Sequence, residues 1–367
     1  MGKNTKPIIV VSAINFFEGG PLSILKDCVF NLVKYYAPDY EIIALVHRKE
    51  LLDIKGVTII EYPKSRSSYF YRLYYEYIHF NNFSKRINPY LWISLHDITP
   101  NVRAQRQIVY CHNPSVFYKA TFKDFRFSTA FLLFTIFYKF LYRINIKKNR
   151  FVVVQQNWIN LEFRRLFNIK NVITAYPFVS KSSKRVLKST QNEKFIFFFP
   201  TIARSFKNLE VICDAVKILN VTNSNRYKVY LTIDGSENSY AKYIFNKYNQ
   251  YSEIEFIGRI TREKVYEIYE KTDCLLFPSK LETWGLPLSE FKDFNKPIIA
   301  ADLPYAHETI GEYDKVSFFN PLSAKDLSVV MQKLIIGDNL FLTRNVVLTQ
   351  KPDASNWREL LEILVNN

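Results

Sequence analysis

Two patterns of apolar and polar positions alternate along this chain. Short β-branched or aromatic runs are followed by stretches in which apolar residues recur every three or four positions, and the whole theme occurs twice. In the first half Ile8–Ile14, Glu41–Val46, Val57–Glu61, Leu91–Ser94, Gln107–Cys111 and Phe151–Gln155 read as strands. Leu22, Leu25, Val29, Leu32 and Val33 carry helical spacing between the first two. In the second half strands are expected at Phe195–Phe199, Lys228–Ile233, Ile254–Ile257, Cys274–Phe277 and Pro297–Ala301. Helices are expected at about Leu209–Leu219, Ser239–Tyr251, Arg262–Lys271 and Pro287–Phe294, with a last short amphipathic helix over Trp357–Val365. Apolar strands separated by helices indicate parallel sheets covered on both faces. The expectation is an α/β protein with two Rossmann-like domains facing a cleft. The boundary falls at Tyr176-Pro177-Phe178-Val179-Ser180, and the basic, Ser-rich stretch Lys181–Thr190 reads as an extended linker. The domains are then 1–176 and 177–350, followed by a terminal segment, 351–367.

Two stretches break the rhythm. Arg66–Arg86 interleaves Tyr69, Phe70, Tyr71, Tyr74, Tyr75, Tyr77, Phe80 and Phe83 with Arg66, Arg72, Lys85 and Arg86, and Phe117–Arg150 is equally aromatic and closes on Lys147, Lys148 and Arg150. Rings beside cations suit a bilayer interface, where rings sit at headgroup level and cations meet anionic lipid. An aromatic core face with solvated charges opposite has the same pattern. The longest apolar run, Phe127–Ile144, is near the lower length limit for a bilayer span and is interrupted by Lys139 and Arg143, so it reads as a buried or interfacial helix.

Composition narrows the partners. The 367 residues carry a formal charge of +16, which draws the protein towards something anionic: nucleic acid, anionic lipid or a phosphorylated ligand. Cys28, Cys111, Cys213 and Cys274 form no CxxC or Cys/His cluster, so neither a disulfide framework nor a zinc site is expected, and a reducing cytosol is the simplest setting. The apolar run Ile8–Val11 breaks at Asn15 with no small-residue cleavage site and reads as a first strand rather than a leader. The N-myristoylation pattern is absent as well, since no Ser or Thr stands at position 6.

Four segments carry candidate chemistry. In Phe277–Glu290, FPSKLETWGLPLSE, a strand ends at Phe277 and Pro287 fits the first turn of a helix. Glu282 thus lies in a loop and Glu290 early in a helix, at the C-terminal edge of a parallel strand, where open α/β sheets bind ligands. Amides around Trp284, Gly285 and Leu286 suit an anion, and the two carboxylates suit vicinal hydroxyls of a sugar or ribose. The strand–loop–helix segment Thr201–Asn208 offers Arg204 and Lys207 to a diphosphate. The adjacent Gly19 and Gly20 after the first strand permit close backbone approach to a ligand, or simply a turn. His112 follows a strand in Val109–Pro114; alone, it is more often structural than catalytic. His96-Asp97 also stands at a strand end, a candidate for an acceptor side.

With these motifs in place, the chain resembles the retaining glycosyltransferases of family 4, which have the two-domain GT-B fold. Glu282 and Glu290 match that family's Glu-x7-Glu pattern, while Thr283 and Trp284 replace its usual Gly and Phe. Phe256–Ile260 is similar to the strand and Gly turn beside the nucleotide base, which assigns Gly258 and Arg259 to donor binding. The Trp357 segment resembles a helix that crosses back onto the first domain. Carried over residue by residue, Glu290 holds the donor ribose and Glu282 the hydroxyls of the transferred sugar. Gly285 and Leu286, beside Trp284, lie near sugar and phosphates, and Lys207 binds the diphosphate. Gly19 and Gly20 match a Gly-Gly loop near the donor phosphates and acceptor, and His112 a histidine facing the donor sugar. The family's Arg five residues before the Lys is Ile202 here, with Arg204 as a substitute.

The resemblance implies transfer of a hexose or similar sugar from a nucleotide diphosphate sugar to an acceptor hydroxyl, with retention, with Glu282, His112 and Lys207 as catalytic residues and no metal or other cofactor. The acceptor implied is a lipid-linked saccharide, and the setting is O-antigen or capsule assembly by a cytoplasmic enzyme held peripherally on the inner membrane face. Two rivals stand beside it: a GT-B relative of other chemistry (an inverting transferase or a sugar-nucleotide epimerase), and a basic nucleic-acid binder. The second leaves Glu282 and Glu290 unexplained, and nucleic acid is not expected as a partner.

Overall fold

The strand-forming runs assemble into two separate parallel sheets. The computed structural model describes residues 6–118, 127, 129–177, 193–223, 225–338 and 351–366. The chain divides into two compact units, Met1–Phe117 with Leu133–Phe178 and Gln350–Asn367, and Tyr118–Leu132 with Val179–Thr349.

The first unit contains β1 (Ile8–Ala13), β2 (Glu41–Val46), β3 (Thr58–Glu61), β4 (Leu91–Ser94), β5 (Arg106–Cys111), β6 (Phe151–Val154) and β7 (Val172–Thr174). They are ordered β3-β2-β1-β4-β5-β6-β7 and all pair in parallel, with Ile9 opposite both Ile42 and Leu91. Its helices are α1 (Gly19–Tyr36), α2 (Tyr69–Tyr74), which runs through a π-helical turn (Tyr75–His79) into α3 (Phe80–Ile87), most of α4 (Thr129–Arg143), and α5 (Asn157–Phe167). The second unit contains β8 (Phe195–Phe199), β9 (Tyr227–Leu231), β10 (Ile254–Phe256), β11 (Cys274–Phe277), β12 (Ile298–Ala301) and β13 (Val316–Phe319), ordered β10-β9-β8-β11-β12-β13. Between them come α6 (Leu209–Asn223), α7 (Ser239–Tyr248), α8 (Arg262–Lys271), α9 (Leu286–Lys292), α10 (Pro304–Ile310) and α11 (Ala324–Ile335). The α/β class and the two Rossmann-like sheets expected from the alternation are both present.

Burial on both faces explains the unbroken apolar strands. Phe197, Phe198 and Phe199 follow one another in β8 and all are fully buried. Each such ring stabilises the fold by about 1.5–3 kcal/mol relative to an exposed one. The last helix, α12 (Trp357–Asn366), belongs to the first unit. Leu360, Leu361, Leu364 and Val365 share a core with Leu25, Val29 and Leu32 of α1. The Asp353 carboxylate accepts the Thr174 N–H at 2.8 Å, and Tyr90 donates its hydroxyl to the Val365 carbonyl at 2.9 Å.

Several elements were not legible in the chain. β7 and β13 are short outer strands, and the short helix α10 and the helix α11 lie beyond the last strand that the alternation marks. Tyr118–Leu132 groups with the second unit, whereas the alternation assigns it to the first domain. The Phe127 ring lies 5.3 and 5.0 Å from those of Tyr240 and Tyr243 on α7. Residues 178–190 of the expected linker, and 119–126 and 128 of the aromatic stretch, lie outside the described residues. Among the described residues, no helix is long and apolar enough to cross a membrane. α4 is apolar on two faces: Tyr138, Leu141 and Tyr142 enter the core, while Leu133, Ile136, Phe137 and Phe140 are exposed.

Candidate active site

In an open parallel sheet the ligand crevice opens where the strand order reverses, outside the carboxyl ends of the strands. In the second sheet that point lies between β8 and β11. The loops leaving these two strands are the ones that hold Lys207 and Glu282.

After β8 the chain makes a 3-10 turn over Ser205–Lys207, and Asn208 ends it in the left-handed region at φ +60°. The Asn208 side chain is buried and donates to the Pro278 carbonyl at 3.2 Å and to the Pro321 carbonyl at 2.8 Å. The Lys280 N–H donates to the Phe206 carbonyl at 2.7 Å. These bonds fasten the two loops together, and Lys207 Nζ reaches Glu282 Oε1 at 2.5 Å with both side chains mostly shielded from solvent. The Thr201 N–H donates to Thr232 Oγ1 at 2.7 Å, whose hydroxyl returns a bond to the Thr201 carbonyl at 2.6 Å. Arg204 and Ile202, by contrast, are exposed.

The β11 loop ends at Gly285, which is left-handed at φ +80°. A Cβ there would stand 3.1 Å from the Phe277 ring and 3.3 Å from Leu288, so this position needs glycine on both counts. Trp284 donates its indole N–H to Ser289 Oγ at 2.8 Å, and Leu286 opens α9 in an exposed position. Glu290, on α9, is buried but not free. Arg262 donates to its Oε1 at 2.9 Å, and Tyr269 donates its hydroxyl to Oε2 at 3.4 Å. The Arg262 guanidinium is pushed up from its ordinary value, first by its hydrogen bond with Tyr266 and then by the Glu290 charge, against the opposing effect of burial.

Gly258 is left-handed at φ +68°, and a Cβ on it would lie 3.1 Å from Asp234 Oδ2; Arg259 next to it is exposed. Asp234 belongs to a tight turn after β9, in which Glu237 accepts the Asp234 and Gly235 N–H groups at 3.0 and 3.1 Å. Asp234, Arg262, Tyr266 and Tyr269 thus border Gly258 or Glu290 although sequence reasoning did not single them out. Two signals were available: the Asp-Gly pair closing the Lys228–Ile233 run, and an arginine at a helix start, where the helix dipole disfavours a cation.

In the first sheet the order reverses between β1 and β4. Gly19 and Gly20 start α1 just beyond β1; Gly19 is left-handed at φ +67°, and a Cβ on either glycine meets nothing within 4 Å. Beyond β4, Asp97 is left-handed at φ +71° and buried. Its Oδ1 accepts the His112 N–H at 2.8 Å, the Asn113 N–H at 3.0 Å and the Tyr142 hydroxyl at 3.0 Å, and its Oδ2 lies 3.8 Å from His112 Nε2. Asp97 therefore sets the backbone that carries His112, and Phe16 meets the His112 ring edge-on at 5.3 Å between centroids.

Below this loop lies a buried polar group. Arg72 donates to the Tyr138 hydroxyl at 2.7 Å and to the His96 carbonyl at 3.0 Å. His96 Nε2 lies 3.1 Å from Glu76 Oε1, and neither side chain reaches solvent. Burial pushes the Glu76 carboxyl up to about 8 despite the nearby Arg72 charge, and burial also holds His96 well below its ordinary value. His96 is thus a neutral core residue rather than part of an open acceptor side. All four cysteines are free and buried. Among the described residues, no three His, Cys, Asp or Glu side chains are grouped to hold a metal.

Two sheets of this order, with motif loops at both reversal points, define a GT-B fold. Residues 179–342 match the family model described as glycosyl transferases group 1. The O-antigen chain mannosyltransferase RfbU of Salmonella typhimurium (strain LT2) is 20% identical over 186 residues, 48% of this chain and 48% of that protein. The match therefore spans about half the length of that relative. The structure of WaaG, a glycosyltransferase involved in lipopolysaccharide biosynthesis, is similar with a TM-score of 0.67 and 13% identity, covering 98% of this chain and 100% of WaaG. Anabaena HepE in complex with UDP-glucose gives a TM-score of 0.58 at 12% identity over 98% and 95% of the two chains. At these identities the structural likenesses establish the fold.

Proposed function

We propose that this chain is a retaining glycosyltransferase that moves a hexose from a nucleotide diphosphate sugar to a hydroxyl of a lipid-linked saccharide in O-antigen or capsule assembly. The observation that carries the reading is the Lys207–Glu282 pair at 2.5 Å at the reversal point of the second sheet, with Glu290 in the helix that follows. A cation and two carboxylates there answer the three parts of such a donor: diphosphate, sugar hydroxyls and ribose diol. The group 1 domain and the UDP-glucose complex of HepE support the same assignment.

In this mechanism Lys207 neutralises the charge that grows on the diphosphate as the bond from the anomeric carbon to its oxygen breaks. The acceptor oxygen bonds to the same face of that carbon, and its proton passes to the departing phosphate oxygen. Glu282 orients the sugar through its hydroxyls, and we assign His112 to the charge developing at the anomeric carbon. No residue is used as a covalent nucleophile, and no metal is invoked.

A lipid-linked acceptor draws support from the surface of the first unit. Tyr69, Phe70, Tyr71, Tyr74 and Ile78 are exposed on α2 and the turn after it, and Leu133, Ile136, Phe137, Phe140 and Ile144 along α4 and just beyond it. The two helices are joined by the bond from Arg72 to Tyr138. Lys139, Arg143, Lys147 and Lys148 stand exposed among or beside these side chains, as a peripheral site on the anionic inner face of the cytoplasmic membrane requires.

Thermal stabilisation and slow donor hydrolysis across a panel of nucleotide sugars, for wild type and Glu290→Ala, test the reading. Stabilisation by one donor that is lost in the variant supports it; no shift with any nucleotide at millimolar concentration overturns it. The anomeric configuration of the product, read by NMR, separates retention from inversion.

A further inference from the structure

The side chain that occupies Glu290 belongs to α8 and lies outside the Glu-x7-Glu motif. Arg262 is the first residue of that helix, its side chain is 65% exposed, and it touches the carboxylate through one Nη atom at 2.9 Å. Glu290 itself is 10% exposed at the side chain, so its position is determined by the core while that of Arg262 is not. One turn along α8, the Tyr266 ring lies 5.8 Å from the Arg262 guanidinium carbon, and the two side chains are hydrogen-bonded. Tyr269 on the same helix holds the other Glu290 oxygen. An exposed, planar donor and an aromatic ring thus flank the Glu290 carboxylate.

We infer that Arg262 is a specificity residue for the nucleobase: it rests on Glu290 in the unliganded protein and turns to the base when the ribose diol takes its place on the carboxylate. This inference rests on the donor-site reading given above. Exchange is feasible because the ribose diol donates hydrogen bonds to the buried carboxylate that Arg262 leaves, and the exposed guanidinium regains hydrogen bonds at its new position. Guanidinium has only N–H donors, so it favours a base edge that presents a carbonyl oxygen. Uracil, thymine and guanine do so, whereas adenine presents an amine at the corresponding edge. Tyr266 supplies a ring beside which the base can stack. The donor class is therefore an oxo-base nucleotide sugar.

Calorimetric titration of the full chain with UDP, GDP, ADP and ribose 5-phosphate, for wild type, Arg262→Ala and Arg262→Lys, tests this. Wild type is expected to prefer one oxo-base diphosphate over ADP by about tenfold or more, the discrimination of one good guanidinium–base contact. Arg262→Ala is expected to bring that ratio close to one while binding ribose 5-phosphate as well as wild type or better, because its competitor is gone. Arg262→Lys should discriminate less than wild type, since the planar fork is lost. An unchanged base ratio in Arg262→Ala overturns the inference. So does an equal loss for every ligand including ribose 5-phosphate, which would make Arg262 only an orienting partner of Glu290. If wild type binds no nucleotide at all, the donor-site reading itself fails, a result distinct from either of these.

Discussion

Lys207 Nζ and Glu282 Oε1 lie 2.5 Å apart although 75 positions separate the two residues in the chain. Asn208 is what brings them together, because its buried side chain binds carbonyls of both the Pro278 loop and the Pro321 loop. In the unliganded protein the cation and the carboxylate satisfy each other. In the proposed reaction a donor diphosphate and its sugar replace that contact with one partner each, so neither charge is left bare.

Lys207→Met should lower turnover by about 100-fold or more, the usual cost of removing one preorganised group from a developing negative charge. Donor affinity should fall less than turnover. Steady-state transfer and donor-hydrolysis rates with the best donor provide the check, and equal losses in kcat/KM and KM alone would contradict it.

Glu290→Gln keeps the shape of the site and removes the charge. Hydrogen bonds to charged groups are worth about 1.5–3 kcal/mol, so nucleotide affinity should fall about tenfold or more. Calorimetry with the nucleoside diphosphate alone measures this without any transfer chemistry.

Gly285→Ala should destabilise the protein by about 1–3 kcal/mol, the range for a residue forced into a disfavoured backbone region. The left-handed backbone and the 3.1 Å approach of the Phe277 ring both oppose a side chain. Denaturant unfolding of wild type and variant provides the value.

Glu76 gives a pH signature. Burial raises its folded value to about 8 from the ordinary 4.5, so the folded state holds the proton more tightly than the unfolded one. The stability this contributes is complete below about pH 4.5 and is lost as the pH rises to about 8. Glu76→Gln should therefore gain on wild type through that window, by at most about 1.4 kcal/mol per pH unit. His96 beside it acts in the opposite direction, since its lowered value withdraws stability as the pH falls below 6.5. Melting temperatures of both proteins from pH 5 to pH 9 test the difference.

The proposed membrane-binding surface is tested by Phe70→Ser with Phe140→Ser. These rings are 76% and 67% exposed, so the fold should not notice their loss. Co-sedimentation with phosphatidylglycerol vesicles should fall roughly tenfold or more if both rings enter the interface. Binding of wild type should weaken with added salt. Undiminished vesicle binding by the double variant would place any membrane contact elsewhere.

Much of this protein can be read from local pattern. Continuous apolar runs such as Phe195–Phe199 mark strands buried on both faces, because only parallel sheets covered by helices need them. The helix spanning Arg262–Lys271 begins and ends where its periodicity does. The loops holding Glu282 and Lys207 were recognisable because Pro, Gly and Asn interrupt the periodicity at strand ends. All of these signals depend on residues within one turn or one pleat of each other.

Strand order, the reversal points and the partners of each charged side chain were decided by tertiary packing. No local signal says that β11 pairs with β8 rather than β10, which is what brings the two motif loops together. The same holds for Arg262 resting on Glu290 and for Asp97 holding the His112 backbone. The aromatic stretches show the limit most directly: along α4, Tyr138 and Phe140 differ little as sequence, yet one is in the core and the other faces out. The apolar periodicity of a helix determines that it has a face to bury, but where both faces are apolar only the packing of its neighbours selects which one.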